Sequence, residues 1–181
     1  MDIGKTNAIQ HAIETVNDAP IAFKPRRIPK GLENDVEKMI NELLENDIIR
    51  ESTSPWSFPL VIVRKKNGDI RMCVDYRSLN AKTSRPIFPI PSADELFDTV
   101  SDSMYFTSLD LSSGYYQVPI KEEDIQKSAF SIRYGQLEFN RIPFDLCSAS
   151  ATFQKLMNVV LIKVNWIKCV IYLDDILVFD R

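Results

Sequence analysis

Ten residues near the end of the chain, Val170-Ile171-Tyr172-Leu173-Asp174-Asp175-Ile176-Leu177-Val178-Phe179, constrain its fold more than any other stretch. Two apolar, β-branched arms of strand length flank a pair of short acids, and short polar residues between such arms are what a tight turn selects. The stretch predicts a β-hairpin with Asp174 and Asp175 at its tip. Alone, an Asp-Asp pair between strands is more often a solvated turn than a site. These arms, however, read as buried on both faces, and a core sheet ending in two like charges calls for a cation to offset their repulsion. A divalent metal is such a cation, and two of them need oxygen ligands from more than one element. The strand-like run Met104-Tyr105-Phe106-Thr107-Ser108-Leu109-Asp110-Leu111 supplies a third acid, Asp110, just before Ser112-Ser113-Gly114. An acid at the end of one strand would face the tip of another.

These residues belong to an ordered series: SLDLSSGYYQVPI, FSIRYGQLEFNRIPF, SASATFQKLM and VIYLDDILVF, preceded by SPWSFPLVIVRKKNGDIRMCVDYRSLN. The series resembles the reverse transcriptase of Ty3/gypsy-type long-terminal-repeat retrotransposons, from about Pro20 to the last residue. The resemblance implies a fingers subdomain and a partial palm, and an RNA-directed DNA polymerase that adds nucleotides to a primer 3′-hydroxyl. In that scheme Asp110, Asp174 and Asp175 are the catalytic metal ligands for two Mg²⁺ ions about 4 Å apart, with Mn²⁺ as a substitute. The Leu111 carbonyl adds a metal contact. Lys65, Arg71, Leu111, Tyr115 and Gln154 fall at nucleotide-binding positions, Lys65 and Arg71 gripping the triphosphate and the Tyr115 ring excluding a ribose 2′-hydroxyl. Tyr172 lies beside the primer terminus. The implied partners are an RNA or DNA template with a DNA primer, deoxynucleoside triphosphates and the rest of a Pol polyprotein, in the cytoplasm, a virus-like particle or the nucleus.

Read in order, residues 1–30 show no sustained periodicity and carry the basic, Pro-containing run Phe23-Lys24-Pro25-Arg26-Arg27-Ile28-Pro29-Lys30, which predicts an extended basic leader. Leu32, Val36, Met39, Ile40, Leu43 and Leu44 recur at helical spacing, predicting an amphipathic helix over 32–45. Runs 57–65 and 70–76 around Asn67-Gly68 predict a hairpin carrying Arg64, Lys65, Lys66 and Arg71. Ser92 and Glu95 form a capping-box pattern ahead of a short helix over 93–100. Another hairpin is expected around Tyr134-Gly135, and a second amphipathic helix over 148–162. Strands, hairpins and two or three helices in this alternation imply an α+β fold with an antiparallel sheet backed by helices. The fingers part is expected over 31–90 with residues of about 119–147, and the partial palm over 91–181.

Charge distribution refines this reading. The net charge of −3 is unlike the usual basic nucleic-acid binder. Yet residues 64–85 hold seven basic residues against two acids, while residues from 91 onward hold eight against thirteen. A basic finger beside an acidic, metal-holding base suits a polymerase. No stretch approaches the roughly 20 apolar residues of a membrane span, and the polar N-terminus is no signal peptide. The three cysteines, Cys73, Cys147 and Cys169, lack metal-ligand spacing and are expected to be reduced core residues. The single histidine, His11, falls in the leader, which is expected to be mobile.

Two departures from the resembled pattern stand out. Asp145 occupies the place of a glycine in Pro143-Phe144-Asp145-Leu146, and Ser148-Ala149-Ser150-Ala151 replaces an Asn-Ala-Pro-Ala-like stretch. Aspartate tolerates the left-handed region better than most residues, so the fold is expected to survive, but its charge would repel a triphosphate. The resembled enzyme continues beyond Arg181, so weak or no activity is expected of these 181 residues alone. The alternative is an inactive or domesticated remnant that keeps the fold as a nucleic-acid or protein-binding module.

Overall fold

The computed structural model describes residues 3–64, 68–85, 88–89, 91–111 and 113–180. Helix α1 (Glu33–Glu45) buries Val36 and Ile40 and places Glu33 and Asp35 in its first turn, where acids offset the helix dipole. It ends where Asp47 adopts φ 53° and the Ile48 N–H donates to the Leu43 carbonyl at 2.9 Å, a left-handed stop that drops the chain into β1 (Ile49–Glu51). The hairpin β2 (Phe58–Arg64) and β3 (Ile70–Val74) follows, then the single turn α2 (Arg77–Asn80). Helix α3 (Ala93–Val100) starts on a complete capping box: Ser92 Oγ accepts from the Glu95 N–H, and the Glu95 carboxylate accepts from the Ser92 N–H. Next come β4 (Tyr105–Asp110), the turn α4 (Glu122–Ile125), β5 (Phe130–Ile132), β6 (Gly135–Phe139), α5 (Ala149–Val160), β7 (Cys169–Tyr172) and β8 (Asp175–Asp180).

The strands form two sheets, ordered β1-β6-β5-β2-β3 and β4-β8-β7. All pairs are antiparallel except β2 with β5, parallel at Phe58↔Phe130 and Pro59↔Ser131. The long connection between these two strands carries helices and the whole of β4, ample for a parallel crossover. The β5–β6 loop is Arg133-Tyr134, since Gly135 already pairs with Ile132. Aromatic side chains pack between the larger sheet and its helices: Trp56, Phe58, Tyr76 and Phe130 are fully buried, and Phe58 meets Tyr76 edge-on at 5.3 Å. Burial of each such ring stabilises the fold by roughly 2–3 kcal/mol. The Tyr76 hydroxyl donates to the Ser128 carbonyl at 2.6 Å, and burial holds the phenol well above its usual pKa.

Strand β4 forms as expected and lies at the edge of its sheet. Its apolar residues do not enter the core; Phe106 is 52% and Leu109 48% exposed. Strand side chains alternate faces, so these two lie on opposite sides of an edge strand and neither is covered. Of the cysteines, all free, Cys169 is buried and the other two are half-buried. Among the described residues no helix is long and apolar enough to cross a membrane.

The segment expected to be a mobile leader is instead docked. His11 N–H donates to the Pro119 carbonyl and Lys121 N–H to the His11 carbonyl, at 2.9 and 2.8 Å; Val16 N–H reaches Lys82, and Ser84 N–H reaches Glu14. Ala22 bridges Ser57. The Ile13 N–H donates to Asp124 Oδ2 at 2.9 Å, and the Ile13 side chain is fully buried. A strap that pairs backbone to backbone with several partners needs no repeating apolar face, which is why no periodicity announces it. The buried His11 ring bonds Thr152 Oγ1 at 2.8 Å and Ser148 Oγ at 3.3 Å, tying the strap to α5.

Burial lowers the His11 pKa to about 4, with Asp124 opposing. The folded value lies below the unfolded one, so the unfolded chain takes up the proton first on acidification. The associated stability is complete above pH ~6.5 and is lost as pH falls towards 4, on the order of 3 kcal/mol. Asp75, held at about 2 chiefly by its hydrogen bond from Arg77, titrates below that window. Urea midpoints measured between pH 7 and 4.5 should fall steeply, and the slope should flatten in His11→Gln. An equal slope in the variant would remove His11 as the cause.

Candidate active site

The smaller sheet places the acids. Its register pairs Asp110 with Asp175 across β4 and β8, and Tyr172 with Asp175 across β7 and β8. Asp110, Asp175 and Tyr172 therefore form one row on one face, with neighbouring Cβ atoms about 5 Å apart. Asp174 is not in that row; it sits with Leu173 in the two-residue turn at the hairpin end. Tyr172 is 45% exposed. Hard oxygen donors from two strands and a turn are the donor set that Mg²⁺ or Mn²⁺ takes. Among the described residues none of the three carboxylates is in an ion pair. No three acidic, cysteine or histidine side chains there converge on a point ready for a metal. The backbone register sets Asp110 opposite Asp175, next in sequence to Asp174 at the turn.

The turn itself is strained. Leu173 has φ 58°, a left-handed value costly for a bulky residue. Helix α5 holds it there: Gln154 Oε1 accepts from the Leu173 N–H at 2.8 Å, while its Nε2 donates to the Ile171 carbonyl and to Asn158 Oδ1, each at 3.3 Å. Gln154 is 1% exposed. The side chain expected at the nucleotide is thus hydrogen-bonded to the backbone on both sides of the hairpin turn that carries Asp174.

A cleft of about 410 Å³ opens beside the turn, lined among others by Arg71, Tyr115, Phe144, Asp145, Ser150 and Asp174. Three residues singled out from the sequence meet here from β3, the loop after β4 and the hairpin turn. The Arg71 guanidinium lies over the Phe144 ring, 4.7 Å from its centroid. The Tyr115 ring packs at 4.9 Å on Phe153 and 5.8 Å on Phe144, and its hydroxyl shares a 3.3 Å hydrogen bond with Ser150. Burial above all raises the Tyr115 pKa, the Ser150 hydrogen bond lowers it, and the Asp174 charge adds to the rise. Tyr115 enters through a tight turn, with Gly114 N–H donating to the Leu111 carbonyl at 3.2 Å and Ser113 at φ 55°. A Cβ at Gly114 would stand 2.7 Å from the Phe153 ring, so no larger residue fits this turn as it stands. The Leu111 carbonyl expected at a metal thus already accepts one hydrogen bond, from Gly114. Lys65 lies outside the described residues.

Sequence reading missed one member of the site, Asn80. Its Nδ2 donates to the Asp145 carbonyl at 2.8 Å and its Oδ1 accepts from the Cys147 N–H at 2.9 Å, clamping the loop that forms one cleft wall. Asp145 itself adopts φ 72°, as expected of a residue in a glycine's place. A clamp from 65 residues away leaves no local sequence signal.

Residues 63–181 match the family model described as "Reverse transcriptase (RNA-dependent DNA polymerase)". The chain is 39% identical over 180 residues to the retrovirus-related Pol polyprotein from transposon 297 of Drosophila melanogaster, covering 97% of this chain and 17% of the relative. It is 41% identical over 179 residues to the corresponding polyprotein from transposon opus of the same species, covering 96% of this chain and 18% of the relative. An RNA-directed DNA polymerase homolog of Oenothera berteroana is 46% identical over 110 residues, 61% of this chain and 78% of that protein. The chain spans less than a fifth of the two transposon polyproteins. Among solved structures, prototype foamy virus protease-reverse transcriptase superposes with a TM-score of 0.88 at 24% identity, over 98% of this chain and 24% of that one. The foamy viral enzyme in complex with an RNA/DNA hybrid gives 0.85 at 22%, over 99% and 24%. These structures share the fold.

Proposed function

The chain belongs to the reverse transcriptase (RNA-dependent DNA polymerase) family, and we propose that it is the nucleotide-adding part of a gypsy-type retrotransposon Pol polyprotein, an RNA-directed DNA polymerase. One observation carries this reading: Arg71, Tyr115 and Asp174 line a single cleft that opens at the turn beside the row of Asp110, Asp175 and Tyr172. The five-stranded sheet then corresponds to the fingers and the three-stranded sheet to the palm. Asp110, Asp174 and Asp175, with the Leu111 carbonyl, would hold two Mg²⁺ or Mn²⁺ ions. Bound there, the metals would acidify the primer 3′-hydroxyl and neutralise the triphosphate.

The chain's own groups do the rest. Arg71, oriented by the Phe144 ring, supplies a fixed positive charge for phosphate oxygens. Tyr115, fastened by Phe153, Phe144 and Ser150, forms a rigid floor against which a sugar rests and a 2′-hydroxyl would collide. Tyr172 stands where a primer end would approach the acids. Gln154 keeps the turn in its strained form and so fixes the backbone that carries Asp174. A template with its primer and deoxynucleoside triphosphates are the proposed substrates.

One observation favours a non-catalytic binding module instead: Asp145 adds a negative charge to the cleft wall. Primer extension on an RNA template with a DNA primer and Mg²⁺ separates the two. Slow addition of deoxynucleotides by the 181-residue chain is expected. Binding of the primed template with no extension in either Mg²⁺ or Mn²⁺ would favour the module.

A further inference from the structure

We propose that Ser150 is a specificity-determining residue: by holding the Tyr115 hydroxyl, it sets how strictly the ring beneath the sugar turns away a ribonucleotide. This rests on the reading of the cleft as a nucleotide site with Tyr115 as its floor. Ser150 falls in the Ser148-Ala149-Ser150-Ala151 stretch, one of the two departures from the resembled pattern.

One face of α5 supports the site. Ser150, Phe153 and Gln154 stand at i, i+3 and i+4 of that helix, so their side chains emerge on the same side. Each holds a different part: Gln154 the hairpin turn that carries Asp174, Phe153 the Tyr115 ring at 4.9 Å, and Ser150 the Tyr115 hydroxyl at 3.3 Å. Phe153 and Gln154 are buried, whereas Ser150 is half-buried and lines the cleft. The root of Tyr115 is fixed, because Gly114 beside it packs so closely on Phe153 that an added Cβ would stand 2.7 Å from that ring. The ring itself meets Phe153 and, edge-on, Phe144. Such apolar contacts are non-directional, so they confine the ring without fixing its tilt. A hydrogen bond at the far end of the ring is directional, and among the described residues Ser150 is the partner of that hydroxyl. A ring held at both ends cannot tip aside for a 2′-hydroxyl, and one released at its tip can.

The test is equilibrium binding of dUTP and UTP, which differ only in the 2′-hydroxyl, to the 181-residue chain with Mn²⁺ and a primed template whose primer is blocked at its 3′ end. Ser150→Ala should lower the preference for dUTP over UTP about fivefold, the effect of losing one neutral hydrogen bond. Tyr115→Phe keeps the ring and removes the hydroxyl, so it should match, and the double variant should lose no more than either single one. Ser150→Thr, which keeps a hydroxyl, should retain the parent's preference. A merely structural role would weaken both nucleotides alike and leave their ratio unchanged. An unchanged ratio in Ser150→Ala, losses that multiply in the double variant, or an equal loss with threonine overturns the proposal. The underlying reading is judged on the parent alone. Equal affinities for dUTP and UTP, or none for either, would refute the sugar floor and the proposal with it, whereas a parent that prefers dUTP keeps the floor whatever Ser150→Ala shows.

Discussion

Asp174→Asn is expected to abolish primer extension, with a loss of at least ~10³-fold, the scale of removing one preorganised electrostatic group from a reacting centre. Asp174 is the one acid of the three that both sits in the hairpin turn and lines the cleft. Asparagine keeps its shape and loses its charge. The same variant carries a second, signed expectation. Without metal, Asp174 stands next to Asp175, which pairs with Asp110, so removing its charge takes nothing from the folded state. The metal-free variant should therefore unfold at the same temperature as the parent or slightly higher. Addition of Mn²⁺ should raise the unfolding temperature of the parent but not of the variant, because a ligand that binds only the folded state stabilises in proportion to its affinity. Thermal unfolding with and without Mn²⁺ reads both effects. Equal Mn²⁺ shifts in the two proteins would sink the metal site, and with it the catalytic reading.

Arg141→Ala is expected to destabilise the fold by about 3–5 kcal/mol, a large part of the stability of a domain this size. The buried guanidinium faces main-chain oxygens: Nε donates to the Asp47 carbonyl at 3.2 Å, Nη1 to Ile3, Gly4 and Tyr116 at 3.1, 2.9 and 3.2 Å, and Nη2 to Asn46 at 3.2 Å. Asn46 caps α1 and Asp47 follows it, at the helix end whose carbonyls lack helical partners and carry the negative pole of its dipole. One side chain thus closes the helix, anchors the start of the strap and holds the turn that carries Tyr115 and Tyr116. Alanine would leave five carbonyls without this donor and open a void. Arg141→Met restores volume and should remain nearly as unstable, since unmet carbonyls rather than lost packing dominate the cost. Urea unfolding of the two variants would decide; a loss below ~1 kcal/mol in both would show that water replaces the guanidinium without penalty.

The position of Asp110 shows how far the sequence reaches into the site. A strand ending in an acid, and a hairpin with two acids at its tip, were enough to expect three carboxylates near one another, and the register of β4 on β8 sets Asp110 opposite Asp175. Which carboxylate goes where was not legible. Strand β8 begins at Asp175, leaving Asp174 in the turn with Leu173 at positive φ. That choice depends on Gln154, 19 residues earlier, whose amide spans the turn from the helix behind it. Gln154 was therefore assigned to the nucleotide although the structure spends it on the backbone. Arg71 and Tyr115 reach the cleft as expected, but the Asn80 clamp that shapes its wall went unseen.

Helix α1, the capping box of α3 and the two acids after an apolar strand were determined by the sequence alone, because each depends on residues within about four positions of one another. The docking of the strap, the neutral buried His11 and the Arg141 cluster were decided only by tertiary structure. Their bonds join residues distant in sequence, up to 137 positions and more, as from His11 to Ser148 and from Arg141 to Gly4. A backbone carbonyl has the same chemistry in every residue, so nothing in the amino-acid sequence marks the ones a distant guanidinium or imidazole will find.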